Sequence, residues 1–331
     1  QLQMCIRDSP STTPYALKRS PSQIEPFSGS PDVLDFTRDV QPILDEHCVS
    51  CHSFDDRQGG VVLESDLGAE WSHSYFTLIA RLQVADGRHG LGNQPPRTLG
   101  SSASPLLAKL DGTHYDAQVT PDQWRTVWLW IESAAPYAGS YAALRNAEAI
   151  RRAEEALNIA RSAEQPQPRC AACHRPASPL EMPYDYWRNS RRLERWKPSI
   201  KLLDRPIGPN ERVILNDDPI AKFGTALLYN FTRPEKSPVL LAPLAKAAGG
   251  WECCPGVYKD REDPHYKEQL ARIRQAKELL DAEPRYATSS FRPNRQYIRE
   301  MKKYGLLPHD SHDSLDNVDV FQLDQRYWHS R

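Results

Sequence analysis

Two pentapeptides constrain this chain more than any other feature. Cys48-Val49-Ser50-Cys51-His52 and Cys170-Ala171-Ala172-Cys173-His174 both read Cys-x-x-Cys-His. Only seven of the 331 residues are cysteine, so chance does not account for two matches. The pattern is the attachment signature of c-type haem. Two thiols add to the vinyl groups of the macrocycle, and the histidine that follows supplies the proximal iron ligand. The expected cofactors are two haem c groups. Cys48 and Cys51 would hold the first and Cys170 and Cys173 the second, with His52 and His174 on iron.

The bulk properties narrow the setting. The hydrophobic fraction is 39%, with 28 prolines, which favours short helices joined by irregular segments. A formal net charge of -1 gives no footprint for nucleic acid. The other cysteines, Cys5, Cys253 and Cys254, do not form a disulfide framework. Covalent haem attachment implies a periplasmic or otherwise exported protein. No apolar run reaches membrane-spanning length, and no signal peptide is visible. Residues 3–9 read like the translation of a transposon-end sequencing adapter. The expectation is therefore that residues 1–30 are an adapter-like artefact with a linker remnant, and that the true amino-terminal part is absent.

A first cytochrome c-like domain is expected over residues 31–145. Phe36, Val40, Ile43 and Leu44 fall at helical spacing before the motif, with Pro42 able to bend or interrupt that helix. Thr120-Pro121-Asp122-Gln123 signals a capped helix start, and Trp124, Val127, Trp128 and Ile131 mark one face of the helix that follows. Trp130 lies off that stripe. Two helices alone could not bury so many aromatics, so the haem would supply much of the core. No Met lies between Cys48 and Thr120 to act as sixth ligand. His114, just before the capped helix, is the favoured partner of His52; His89 follows, then His73. His47 is read as a bystander. Two imidazoles would leave no open coordination position and a lower potential than thioether ligation, which suits an electron carrier.

Residues 146–168 are rich in Ala, Arg and Glu and read as a helical linker on the surface, ended by Pro166 and Pro168. A second, larger cytochrome c-like domain is expected over 169–310, followed by a polar tail over 311–331. It carries an insertion of about 70 residues beyond a minimal domain. Helices are expected over Tyr266–Leu280 and Gln296–Tyr304, the latter stopped by Gly305. The basic-aromatic run from Tyr184 to Lys197 suits either haem propionates or a solvated face. The distal ligand of the second haem stays open among His265, His309, Met301 and an iron without a protein ligand. A zinc site from Cys170, Cys173, Cys253 and Cys254 is a weaker alternative, because adjacent cysteines fit a tetrahedron poorly.

Several longer motifs carry a resemblance. The segment from Phe36 to His52 is similar to the haem segment of planctomycete-type cytochrome proteins related to the hydrazine synthase alpha subunit. Pro95–Gly100, Ser104–Leu107, Leu240–Ala245 and Tyr297–Pro308 extend it, so that it spans roughly residues 13–310. The resemblance implies an exported bacterial cytochrome with a further domain upstream. In the enzyme itself, one haem with two histidines carries electrons and another sits at the catalytic centre, assisted by a tyrosine and zinc. Neither of those two auxiliary groups can be matched to a residue here. Relatives carry an Asp-Met-Pro-Gly-like stretch before the last helix, its Met resembling an axial ligand. Thr288 stands at that position in this chain.

The expected fold is therefore mainly α: two cytochrome c-like haem domains with long irregular loops and a helical linker. The expected function is electron relay to a redox partner protein or the missing upstream domain. The alternative is a haem enzyme fragment acting on a small nitrogen or oxygen species at the second haem.

Overall fold

The computed structural model of the chain describes residues 18–21, 31–81, 83–85, 95–143, 147–161, 169, 228–254, 256–283, 285–289, 291–310 and 318–330. The chain divides into two units, Gln1–Asp32 and Val33–Arg331. Only 18–21 and 31–32 are described in the first. Among the described residues the structure is mainly helical, with isolated β-bridges and no strand. No described helix is long and apolar enough to cross a membrane.

Pro42 sets the local structure at the start of the second unit. It has no N–H to give, and the chain ahead of it forms a wide π-turn, Phe36–Val40, before α1 (Gln41–His47) begins with Pro42 in its first turn. The break expected at Pro42 is present. Asp35 caps the π-turn, its Oδ1 accepting from the Arg38 amide at 2.9 Å. Ser72 caps α2 (His73–Ala80), and Thr120 and Gln123 form the full capping box of α3 (Pro121–Glu132).

The buried face of α3 differs from the expected stripe. Val127, Trp130 and Ile131 are buried, Trp130 completely, whereas Trp124 is 40% exposed. The reason lies just beyond the helix. Ala134 and Ala135 take positive φ values of 67° and 47° and turn the chain back. The Pro136 carbonyl then accepts from Trp130 Nε1 at 2.8 Å. With its one polar atom satisfied, the indole can sit in the core against Phe36. Phe36, Tyr75, Tyr137 and Trp130 form the aromatic centre of this first core.

The segment expected as a surface linker is packed. In α4 (Ala147–Ala160), Ala153, Ala156 and Ala160 are buried against α5 (Pro264–Asp281), while Ile150 is 40% exposed. Small side chains let the two backbones approach closely. Gln269 of α5 donates to the Ala160 carbonyl at 2.6 Å, and Arg152 pairs with Glu283 at 2.6 Å, so the helices run antiparallel. Ala69, Tyr229 and Phe231 join this second core. A third core joins α6 (Arg295–Lys303) and α7 (Val320–His329) to Ala142. The expected tail over 311–331 therefore contains a docked helix.

The boundaries drawn at 145/146 and 168/169 are bridged by buried and part-buried polar contacts. Arg233 pairs with Glu64 and Asp66 at 2.7 Å each. Asp324 accepts from Ser140 Oγ at 2.7 Å and from Tyr297 Oη at 2.7 Å. Tyr286 donates to Asp35, whose Oδ2 also accepts from the Gly139 amide at 2.8 Å. The described parts of 33–143 and 228–330 are thus stitched together.

Candidate functional site

The first motif is a continuation of α1. Cys48 is the C-cap of that helix, and its amide donates to the Leu44 carbonyl at 2.8 Å. The Cys48 carbonyl then accepts from the Cys51 amide at 3.2 Å and the His52 amide at 3.0 Å. This turn holds two half-buried free thiols and the imidazole on one short stretch. Burial first, then Asp45 and Cys51, pushes the Cys48 thiol up to about 11.

His52 is oriented by its own loop. Its Nδ1 lies 3.1 Å from the Gln58 carbonyl oxygen. A carbonyl only accepts, so Nδ1 carries the proton and Nε2 keeps its lone pair. This is the outer hydrogen bond that fixes a ligating histidine's tautomer. Burial lowers the His52 pKa, with the Gln58 carbonyl working in the opposite direction.

His114 comes from the loop before α3. That loop is tight: Gly112, Tyr115 and Asp116 have φ values of 91°, 49° and 61°. Asp111 closes it by accepting from the Thr113 amide at 2.9 Å, and the His114 carbonyl accepts from the Ala117 amide at 3.0 Å. Two non-glycine residues in the left-handed region cost about 1–3 kcal/mol each.

The loop is tied to the motif through Gln123. Its Nε2 donates to Glu46 at 2.8 Å, and its Oε1 accepts from the Thr120 amide and from His47 Nε2, the latter at 3.1 Å. His47, read as a bystander, is therefore a brace between α1 and α3.

These braces bring the two imidazoles close together with their ring planes parallel. The His52 and His114 rings are 6.1 Å apart between centroids, with planes 4° from parallel. Two metal–imidazole bonds of about 2.0 Å each, with about 1.1 Å from nitrogen to ring centre on both sides, come to a centroid separation of about 6 Å. The pair is spaced as two axial ligands of one metal are. Half-buried Cys48, Val49, Val61, Val119 and Trp128 pack against the first core.

The other ligand readings fare differently. His73 is buried and Nε2–H donates to the Tyr229 carbonyl at 3.2 Å, so it belongs to the core. His89 lies outside the described residues. So do Cys170, Cys173, His174, Met182, His312 and the Tyr184–Lys197 run. Met301 is buried in the α6–α7 core, and His309 is exposed.

His265 sits half-buried in the first turn of α5. Arg169, the residue before the second motif, donates to Asp263 at 2.7 Å and to the Val257 carbonyl at 3.2 Å. That ion pair lies two residues from His265. No sequence signal points to this pair, because an isolated arginine before a motif has no recognisable pattern. Thr288 Oγ1 donates to the Arg285 carbonyl at 2.6 Å.

Cys253 is exposed and accepts from Arg57 at 3.3 Å, and Arg57 also stacks on Trp251 at 3.8 Å. Among the described residues, no three His, Cys, Asp or Glu side chains gather into a site for a bare metal ion. No family model, curated protein or solved structure matches the chain.

Proposed function

We propose that the chain is a dihaem c-type cytochrome region that relays electrons, with its first haem held by Cys48 and Cys51 and ligated by His52 and His114. The observation that carries this reading is the parallel His52–His114 pair at 6.1 Å. The haem would supply a one-electron carrier between ferric and ferrous iron. The protein's part would be to fix both imidazoles and to present Nε2 of His52 by holding its Nδ1 proton on Gln58. With His52 and His114 both on the iron, no open coordination position would remain for a substrate. The resemblance to exported planctomycete-type cytochromes and the requirement for haem attachment outside the cytoplasm support a periplasmic or otherwise exported location. The partner would be a redox protein or an upstream domain of the same polypeptide.

The test is His114→Ala in protein produced with a haem-maturation system. The variant is expected to keep both haems covalently attached while its first haem turns high-spin. An unchanged low-spin spectrum would exclude His114 as the ligand.

Thr288 favours a second reading, in which the second haem lacks a protein ligand on its distal side and converts a small nitrogen or oxygen species. Thr288 stands where relatives have Met, and its hydroxyl is committed to the Arg285 carbonyl. That reading predicts a high-spin fraction in the unaltered protein that shifts with carbon monoxide. If both irons stay low-spin and inert to the gas, it fails.

A further inference from the structure

A cavity of about 790 Å³ opens where α4, the end of α5 and the 285–295 segment meet the 67–75 segment. Its size is that of a small-molecule site. His52, His114, Cys48 and Cys51 do not line it. Arg169 is anchored at the start of α5, whereas the cavity lies at its other end, by Leu280 in the last turn and Glu283 just past it. Eighteen helical residues separate the two by about 27 Å.

The lining combines two chemistries. One is aromatic: Trp71 meets Tyr137 edge-on at 4.8 Å, and Tyr286 meets Phe291 edge-on at 5.1 Å. The other is charged: among the described lining residues it holds Arg152, Arg285, Arg292 and Arg295 together with Glu70 and Glu283. Arg152 is neutralised by Glu283 at 2.6 Å.

Arg285 is the informative residue. Nη1 donates to the Gly68 carbonyl at 2.9 Å, and Nη2 reaches Asp281 only at 3.4 Å. Nε is buried with no acceptor. Burial lowers the pKa of this guanidinium, with Asp281 offsetting part of the effect. A buried cation short of acceptors gains from an anion placed beside it, and guanidinium favours planar oxyanions.

We propose that this cavity binds a small organic anion with a flat unsaturated body, an aromatic carboxylate or sulfonate in chemical class, at a site separate from the first haem motif. The flat body lies against Trp71 and Tyr286, and the anionic group completes the hydrogen bonding of Arg285.

The test is calorimetric titration of the full haem-loaded chain with two probes of the same shape. One is the anion 8-anilinonaphthalene-1-sulfonate and the other is neutral N-phenyl-1-naphthylamine. One site per chain is expected, with the anion bound at least 10-fold more tightly and the haem absorption spectrum unchanged. Arg285→Met is expected to remove the preference for the anion while leaving the neutral probe's affinity within about 2-fold.

Ala149→Trp, on the α4 wall, fills the space without touching charge, and serves if Arg285→Met does not fold. It is expected to weaken both probes at least 10-fold. Unchanged binding in Ala149→Trp, an anion preference that survives Arg285→Met, or a probe that displaces a haem ligand would each overturn the proposal.

Discussion

Single side chains hold this molecule together at points where several segments meet. Asp35 is the clearest case. Its fully buried carboxylate accepts from the Arg38 amide, the Thr37 hydroxyl, the Gly139 amide and the Tyr286 hydroxyl. Asp35→Ala would strand several buried donors, and a loss of about 3 kcal/mol in chemical denaturation is expected. A loss under about 1 kcal/mol would mean that water replaces the carboxylate.

His73 gives a pH signature. Burial first, against the weaker pull of Asp66, lowers its pKa from 6.5 to about 4 in the folded protein. The folded state therefore refuses a proton that the unfolded state accepts. Its contribution is complete above pH 6.5 and is lost as pH falls toward 4, by about 3 kcal/mol in total. In His73→Gln, which keeps a donor for the Tyr229 carbonyl, that part of the acid destabilisation should vanish. An identical pH profile in the variant would show that His73 does not titrate in this way.

Helices show what a sequence pattern can and cannot disclose. The capping box at Thr120, the break at Pro42 and the stop at Gly305 were legible because each depends on one residue's backbone chemistry. The packing partners were not. The alanine face of α4 has too little hydrophobic contrast to distinguish a solvated connector from a close-packed helix. Trp130 was misplaced because its burial depends on a turn at Ala134 and Ala135 outside the helix. The difference can be measured. Ala156 is completely buried between α4 and α5, and Ala156→Leu is expected to cost about 1–3 kcal/mol through overpacking. Ile150→Ala on the exposed side should stay within about 0.5 kcal/mol. Equal effects from the two would restore the picture of a free surface helix.

Across the whole molecule, the two Cys-x-x-Cys-His motifs have unequal support. The first stands on a braced turn, with a second imidazole aligned opposite its histidine by the Asp111–Ala117 loop and the Gln123 bridge. His114 was legible as a ligand from its position and from the lack of a competing Met; its supports, Gln58 and Gln123, carry no pattern and emerge only from the fold. The second motif lies outside the described residues, where Arg169 marks the approach to it.

The most direct measurement is low-temperature electron paramagnetic resonance of the oxidised, haem-loaded chain, with iron quantified per polypeptide. Two irons per chain are predicted, the first giving a rhombic low-spin ferric signal of the kind that near-parallel imidazole planes produce. That signal should be lost in His114→Ala. A first haem that is high-spin in the unaltered protein, or a low-spin signal that persists without His114, would contradict axial ligation by His52 and His114.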